Sequence, residues 1–486
     1  MERAEAEAIY EQGRETVVAV LLELSAQNAL LRRQVDELIE ANRRLESRVA
    51  ELERRLGRNS RSCSLPPSAD PPSAPPRPRQ AASGREAGAQ PGHPGRGRHL
   101  APLEALDEVI DHWPSRCRCG HVFCAAPLEA LGAPARHQVA ELPPTAVILS
   151  EHRRWRLRCP ACGATTRAEL PAGVPRGAFG PRLQAAVATL AVRNRVSRRD
   201  TTELLRELFG AELASGTVDA IVQRTALALD EPYEDLLGHI RDAPAINVDE
   251  TGWRLRGGKR TLWGALTGRA AVFRIAPDRH ERELLALLGE EFAGIACSDR
   301  WWAYRALEPE RRQVCWSHLF RDFTAHSEGL AAAQKQFGEA GLKIAAGLFK
   351  AWGELREDGD RARLLERIAP LQEKLRALLE EAARKSARNR RHRTFANNLL
   401  KLWPALWTFS EIDGVEPTNN HAERGLRGAV IYRKLSLGSQ SEEGEHTIER
   451  LLSVSQTCRL QRRSLFAYLA DVLTAKARGD PAPLLT

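Results

Sequence analysis

Five leucines stand seven residues apart, Leu24, Leu31, Leu38, Leu45 and Leu52, and this spacing constrains the chain before any other feature does. A seven-residue apolar repeat keeps one stripe of an α-helix turned toward a partner helix, so these leucines read as d positions. The matching a positions are Leu21, Asn28, Val35, Asn42, Val49 and Leu56. Leucine at d with β-branched residues at a favours two parallel strands, and asparagine at a fixes register at some cost in stability. The competing reading is an amphipathic helix packed on its own globular body. Strict sevens with two a-site asparagines favour a coiled coil over residues 1–57. The next stretch keeps that helix apart from any core. Residues 58–100 hold nine Pro, five Gly and six Ser, with seven Arg against one Asp and one Glu. So little apolar surface cannot order a segment, and a disordered basic linker is expected there.

At 486 residues the rest is too long for one compact core. Hydrophobic content of 43% and charged content of 28% suit a globular protein rather than wholesale disorder. No apolar run approaches the roughly 18–20 residues that span a bilayer. The start, Met1-Glu2-Arg3-Ala4-Glu5, lacks the basic-then-apolar layout of a signal peptide. A cytoplasmic chain with no membrane partner is the expectation. Net charge is +9, which favours a polyanion. Only nine of the 72 basic residues are lysine, so arginine-rich coding competes as the source of that charge.

Five of the nine cysteines fall in two tight groups, Cys117, Cys119 and Cys124, then Cys159 and Cys162. In a cytosolic chain such grouping reads as metal ligation before it reads as a disulfide framework. Cys159-Pro-Ala-Cys162-Gly is a C-x-x-C knuckle, and Cys117-Arg-Cys119-Gly-His121 is a tighter C-x-C partner. Tetrahedral Zn²⁺ from Cys117, Cys119, Cys159 and Cys162 needs the pairs brought together by a short sheet. Val139 to Pro143 and Val147 to Arg156 have the strand character to supply it. Cys124 or His121 could replace one upstream ligand. Residues 101–176 are thus expected to form a zinc ribbon. Residues 177–243 read as helical, with Thr202 to Phe209, a break at Gly210 and a second helix opening at Ser215. That is a helix-turn-helix pattern, or an ordinary helical hairpin.

From Ala245 the pattern changes. A strand, Ala245 to Val248, ends in Asp249-Glu250. A hairpin around Gly257-Gly258 and a third strand, Ala271 to Ile275, follow. Then come a helix, Glu281 to Phe292, a strand, Gly294 to Ser298, ending in Asp299, a helix around Trp301 to Leu307, and a strand, Arg312 to Trp316. Three strands, helix, strand, helix, strand is the order of a ribonuclease-H-like α/β core. Two strand-end acids suit a two-carboxylate metal site. Glu423 is the third candidate, although its place three residues after Asn420 also fits a capping box. Mg²⁺ prefers hard carboxylate oxygens and keeps several waters, so three acids suit it. Two such ions, or Mn²⁺, can stabilise the attacking and leaving oxygens of a phosphodiester.

These residues carry a resemblance. Val248-Asp249-Glu250-Thr251-Gly252-Trp253, Ser298-Asp299-Arg300-Trp301, Cys315-Trp316-Ser317-His318 and Pro417-Thr418-Asn419-Asn420-His421-Ala422-Glu423-Arg424 resemble the signature blocks of bacterial insertion sequence 66 family transposases. The resemblance implies a multidomain α+β chain: coiled coil, linker, zinc ribbon, helical DNA-binding region, and a catalytic core over 244–318 and 411–455. A helical insertion, 319–410, would interrupt that core, and a helical region, 456–486, would close the chain. It implies a DDE enzyme that cuts and joins DNA with Asp249, Asp299 and Glu423 as its triad. The implied partners are double-stranded DNA at transposon ends and target, a second copy through the coiled coil, and element-encoded accessory proteins. The implied location is the bacterial nucleoid.

Many DDE enzymes carry a basic residue seven positions after the glutamate, and here that residue is Val430. Arg424, Arg427, Arg433 and Lys434 are the candidate substitutes. In the insertion Arg384, Lys385, Arg388, Arg390, Arg391 and Arg393 form a dense basic run. A solvated face is the usual meaning of such a run, but beside a DNA-cutting site backbone contact is favoured. Two rivals stand beside the transposase: a ribonuclease-H-like nuclease that does not join strands, and a zinc-containing DNA-binding regulator with a decayed core.

Overall fold

The computed structural model describes residues 10–11, 13–56, 100–123, 132–143 and 145–486. The linker expected before Leu100, and Cys124 among the candidate zinc ligands, lie outside those residues. The chain forms two compact units, one of Met1–Ala74, Ala172–Arg195 and Ile221–Thr486, the other of Pro75–Pro171 and Val196–Ala220.

Helix α1 runs unbroken over Arg14–Leu56. Its seam lies open in the single chain: Leu31, Leu38 and Leu45 are 57%, 68% and 63% exposed. The Asn28 side chain donates to the Leu24 carbonyl one turn back, at 3.2 Å.

The smaller unit carries a two-stranded antiparallel sheet, β1 (Arg156–Arg158) and β2 (Thr165–Arg167). This corrects the strands expected at Val139 to Pro143 and Val147 to Arg156. Those stretches have β-branched residues but make only isolated backbone bonds, such as Ala168 N–H to the Trp155 carbonyl at 3.0 Å, and Val139, Ile148 and Leu149 stay exposed. The strands that do form flank Cys159 and Cys162, where a tight turn sets their register. Helix α3 (Arg198–Phe209) starts at Ser197, whose hydroxyl accepts the Asp200 N–H at 3.1 Å. It stops at Gly210, in the left-handed conformation that favours glycine. Helix α4 (Ser215–Ala228) follows after five residues, and Arg198 pairs with Asp219 at 3.1 Å. The two helices of the expected helix-turn-helix pattern are therefore present. Helix α2 (Pro181–Ala188), which precedes them, belongs to the larger unit.

The larger unit centres on a five-stranded sheet of order β5-β4-β3-β6-β7. After helix α5 (Asp230–Arg241) the strands are β3 (Ala245–Leu255), β4 (Gly258–Leu266) and β5 (Ala271–Ala276), an antiparallel meander. Helix α6 (Glu281–Leu288) leads to β6 (Ile295–Ser298), and a 3-10 segment (Trp302–Ala306) to β7 (Arg312–Val314). Both last strands run parallel to their neighbours, β6 beside β3 and β7 beside β6. Helix α6 ends earlier than its apolar pattern suggests, because Gly289 at φ 85 turns the chain away. Strand β3 runs longer than expected and passes straight through Asp249 and Glu250, held there by β4.

Both edges of this sheet are covered by helices that hydrogen-bond to it through side chains. On the β5 edge, helix α13 (Glu442–Leu460) offers Glu449, Ser453 and Thr457, one per turn. Their oxygens accept the N–H groups of Ile275, Phe273 and Ala271, the last two at 2.8 and 3.0 Å. A four-residue helical step of about 6 Å matches a two-residue strand step of about 6.6 Å, which lets the ladder stay in register. On the β7 edge Thr408 donates to the Arg312 carbonyl at 2.6 Å, and Gln313 Oε1 accepts the Phe409 N–H at 2.8 Å. Covered edges cannot pair with other chains.

Between β7 and the last acidic block lie five helices: α7 (Trp316–Ser327), α8 (Ala332–Asp358), α9 (Arg361–Ala383), α10 (Arg393–Lys401) and α11 (Trp403–Glu411). They share one apolar core built on Trp316, Phe323, Leu348, Leu375, Trp407 and Phe409. Helix α12 (Asn420–Ser436) lies on the sheet, and α14 (Leu465–Arg478) closes the described elements. Among the described residues no helix is long and apolar enough to cross a membrane.

Candidate active site

Strand register places the first two acids. Strands β3 and β6 are parallel, with Ala245 opposite Ile295 and Asn247 opposite Cys297. Carried forward two residues, that register sets Asp249 beside Asp299, which directly follows β6. Asp249 is partly buried, and its carboxyl is pushed up to about 8. Burial is the main cause, with the charges of Glu250, Asp299 and Glu423 added. Asp299 Oδ1 accepts the Trp301 N–H two residues on, at 2.7 Å, just ahead of the 3-10 segment. The buried Arg312 lies against it, donating to the Asp299 carbonyl at 3.4 Å.

Glu423 arrives from the other side, in the first turn of α12. The segment before that helix is fastened to the sheet at several points. Trp316 N–H donates to the Pro417 carbonyl at 2.9 Å, and Asn419 N–H to Cys315 Sγ at 3.1 Å. The Asn419 side chain is fully buried and satisfied. It donates to the Val248 carbonyl at 2.7 Å and accepts from Asn247 Nδ2 at 3.0 Å. Asn419 is also the N-cap residue of α12, yet its side chain makes no capping bond. A residue suited to capping is thus committed instead to the strand that carries Asp249. One turn into the helix, a Cβ on Gly425 would run into the buried Leu266 side chain, so glycine lets α12 lie close to β4 without displacing it. His421 completes the docking, Nε2 to the Thr267 carbonyl at 2.8 Å.

Glu423 is 40% exposed at its side chain, with Arg321 at 3.6 Å and His318 Nδ1 at 3.8 Å. Burial and Arg321 pull the His318 imidazole below its usual range, against the pull of Asp299 and Glu423. Its Nδ1 is buried without a hydrogen-bond partner. A fourth acid, Glu250, is compensated by the protein. Tyr304 Oη donates to it at 2.6 Å, and Arg279 pairs with it while stacking over Trp301. Among the described residues Asp249 pairs with no such cation. Sequence reading quoted Asn419 and His318 within the family blocks and gave His318 a packing role, but it missed what they contact, and it missed the Glu250–Arg279 pair. The Asn-Asn run before Glu423 was visible, but its partners lie some 170 positions away.

Asp249, Asp299 and Glu423 therefore face one region of the sheet's end, and hard carboxylate donors without a protein counter-charge at Asp249 suit a divalent cation. Among the described residues no three His, Cys, Asp or Glu side chains stand close enough together to hold one ion as they are placed. Side-chain rotation would have to close the set. The cysteines form two local knuckles. Cys159 N–H donates to Ala164 O at 2.8 Å and Cys117 N–H to His121 O at 2.8 Å. Gly163 and Gly120 close the turns at φ 73 and 94. Backbone N–H groups of Cys162 and Ala161, then the Cys162 thiol, lower Cys159; the His121 backbone and the Cys117 thiol lower Cys119.

The candidate DNA contacts divide. Arg424, Arg427 and Lys434 are exposed on α12, whereas half-buried Arg433 donates to Gly252 O and to Thr251 Oγ1 on β3. Val430 is half-buried, with Arg427 and Lys434 one turn to either side. The run 384–393 is a loop rather than a helix face. Asn389 anchors it, donating to Glu381 O at 2.6 Å, and His392 stacks on Phe337 at 4.8 Å. Arg384, Lys385, Arg388, Arg390 and Arg391 point outward, and Arg393, half-buried, opens α10.

The family profile described as Transposase IS66 family matches residues 176–447, which includes every strand of the sheet and all three acids. A second profile, of a family of unknown function, matches residues 16–99. Two uncharacterized proteins of Sinorhizobium fredii are similar along most of their length. Protein y4hP is 25% identical over 76% of this chain and 71% of its own, and y4jD is 26% identical over 78% of each. With the profile covering more than half of the chain, including its sheet and acidic residues, the protein belongs to the IS66 family of transposases.

Proposed function

We propose that this protein is a DDE transposase, with a ribonuclease-H-like core that cuts the ends of an insertion sequence and joins the freed 3′-hydroxyl to target DNA. The observation that carries this is the placement of Asp249 and Asp299 side by side, with Glu423 fixed opposite them through buried Asn419. These three carboxylates would hold two Mg²⁺ or Mn²⁺ ions, which when bound activate an attacking oxygen and stabilise a leaving one. His318 and Arg321 orient Glu423 toward the acids. Arg424, Arg427 and Lys434 line the open face of the same helix and hold the backbone phosphates. They fill the role of the basic residue absent at Val430. The exposed loop cations Arg384, Lys385, Arg388, Arg390 and Arg391, with Arg393, add a second backbone contact.

Cys117, Cys119, Cys159 and Cys162 would hold one structural Zn²⁺, which ties the two knuckles into a ribbon. The open leucine seam of α1 pairs two copies, so that two DNA ends are held in one complex in the nucleoid.

The test is cleavage and joining of terminal-repeat duplexes with Mg²⁺ or Mn²⁺. Asp249→Asn, Asp299→Asn and Glu423→Gln should each lower cutting at least about 10³-fold, the scale of losing a preorganised charge-stabilising group, while duplex binding persists. Normal cutting by any one variant removes that residue from the site. Cutting without joining leaves the nuclease reading. For the seam, Asn28→Ile with Asn42→Ile should raise thermal stability and admit trimers. A monomeric α1 segment at high concentration in sedimentation would instead mean that it packs within its own chain.

A further inference from the structure

We infer that the tip of the β3–β4 hairpin and the end of α12 form a rigid cationic ledge that grips the backbone of duplex DNA about six base pairs from the cut. The inference deepens the proposed function, because it names where the same substrate lies beyond the acids.

Strand β3 outruns its neighbour. Its pairing with β6 ends at Asn247 and Cys297, but its pairing with β4 continues to Leu255 opposite Gly258. Six residues separate Asp249 from Leu255, roughly 20 Å at about 3.3 Å per residue. At about 3.4 Å per base pair, that is near six pairs of duplex. The tip carries Arg254, Arg256 and Lys259, all exposed, and α12 brings exposed Lys434 to the same end.

This arm is braced on α12 and the loop that follows it. Arg256 N–H donates to Ser439 O at 3.0 Å, and Ser439 N–H donates to Arg254 O at 2.8 Å. Trp253 is buried, donates through Nε1 to Ser439 Oγ at 3.1 Å and stacks on Tyr432 at 6.4 Å. Arg433 donates to Gly252 O from the helix side. The turn itself has two left-handed residues, Arg256 at φ 48 and Gly257 at φ 82. Asn, Asp or Gly is the ordinary choice for the first of these positions, so an arginine there opposes local turn preference.

Arg254 Nη1 donates to the Gly257 carbonyl at 3.0 Å and Arg256 Nε to the Gln440 carbonyl at 2.7 Å, neutral acceptors that leave both charges in place. The carboxylates nearby are those of the first turn of α13. Arg260 faces Glu442 and Glu445, and Glu443 lies near Arg256. Arg254, Lys259 and Lys434 make no ion pair among the described residues. Fixed, solvent-facing cations at one end of a buttressed strand contribute nothing to the core, and they match a phosphate backbone at defined spacing.

The test uses the full chain carrying Asp299→Asn, so that cutting does not perturb binding, and a fluorescein-labelled 40-base-pair duplex. Anisotropy is followed from 50 to 300 mM NaCl. Arg254→Ala, Lys259→Ala and Lys434→Ala together should lower the slope of log K against log salt by two to three, about 0.9 for each lost phosphate contact. Affinity at 150 mM NaCl should fall more than tenfold. The control Lys343→Ala, Lys350→Ala, Arg356→Ala removes equal charge from exposed positions on α8 and should leave the slope within one unit. An unchanged slope in the first triple, or an equal loss in the control, overturns the ledge. Should the triple lower the unfolding midpoint, Lys259→Ala and Lys434→Ala alone must each take about one unit from the slope. Phosphate ethylation of a duplex that the unaltered protein cuts should interfere about six base pairs from the cut, and interference confined to the cut itself overturns the distance. Absent cutting with the slope change intact would reject the transposase reading and keep the ledge. Intact cutting with an unchanged slope would do the reverse.

Discussion

The acid-bearing core and the cysteine-bearing unit solve the placing of functional side chains in opposite ways. In the core, Asp249, Asp299 and Glu423 are positioned by contacts between residues far apart in sequence: the β3–β6 register, Asn419 on Val248, and Gly425 on Leu266. Burial supplies the stability, with Trp253, Trp263, Tyr304 and Trp316 all enclosed. In the cysteine unit each pair is set by a turn of a few residues, and its two three-residue strands are exposed throughout. Trp155 and Leu157 are each 72% exposed, where a self-sufficient domain would bury them. A segment with so little apolar burial depends on a staple, and paired cysteines are the available one. The core is therefore held by its own burial, while on the proposed zinc reading the cysteine unit would be held by a metal.

The largest effect should separate them. Removing metal with a chelator, or replacing Cys159 by Ser, should make residues 100–171 sensitive to protease. The thermal unfolding of the core should stay where it was, because its own buried apolar residues hold it. Metal analysis should find one zinc per chain before chelation and none after. Loss of both units together would break the contrast, and a zinc-free protein with a protected 100–171 segment would remove the staple altogether.

How much of this could be read from sequence follows the same division. The knuckles were legible because a C-x-x-C-Gly turn is local, and Asp249 and Asp299 were legible because each lies at or near the end of an apolar run. The zinc-region strands were misplaced because Val139, Ile148 and Leu149 have strand propensity with nothing to pack on. Glu423 could be named only with a capping box as its rival. The capping box is what the structure removes: the N-cap is Asn419, and its side chain is bonded instead to Asn247 and Val248, on a strand some 170 residues earlier. Long-range hydrogen bonds leave no periodic trace, which is why the positioning residues stayed hidden while the acids did not.

Asn419 gives the second test. Asn419→Ala takes the short donor from the Val248 carbonyl, which keeps only Tyr304 Oη at 3.5 Å, and the acceptor from the half-buried Asn247 amide, at about 1–3 kcal/mol for each group. The core should lose roughly 2–4 kcal/mol, read by chemical unfolding. Cutting should fall further than stability explains, since Glu423 then loses its anchor. Asn419→Asp sharpens the point: it keeps an acceptor for Asn247 but gives up the donor to Val248. It should be as inactive as the alanine variant. Full activity in either variant would show that Gly425 and His421 suffice to seat the helix.

The smallest effect tests whether the core's edges are as self-sufficient as its centre. The α13 ladder on β5 rests on Glu449, whose Oε2 also meets His446 Nδ1 at 2.9 Å. That hydrogen bond raises the His446 imidazole above its usual range, with the Glu449 charge adding to it against partial burial. A histidine raised on folding contributes stability that is complete below about pH 6.5 and is lost as pH climbs through the raised folded value. His446 is two-thirds exposed, so solvent screening limits the gain to about 0.5 kcal/mol or less. The unaltered protein should therefore be slightly more stable at pH 5.5 than at pH 8.5 relative to His446→Gln, with the two converging at the alkaline end. The comparison has to be made between variants, because every other titrating group then cancels. A difference that grows with pH instead would mean that Glu449 holds Ile275 better without its histidine, and that the ladder alone secures the β5 edge.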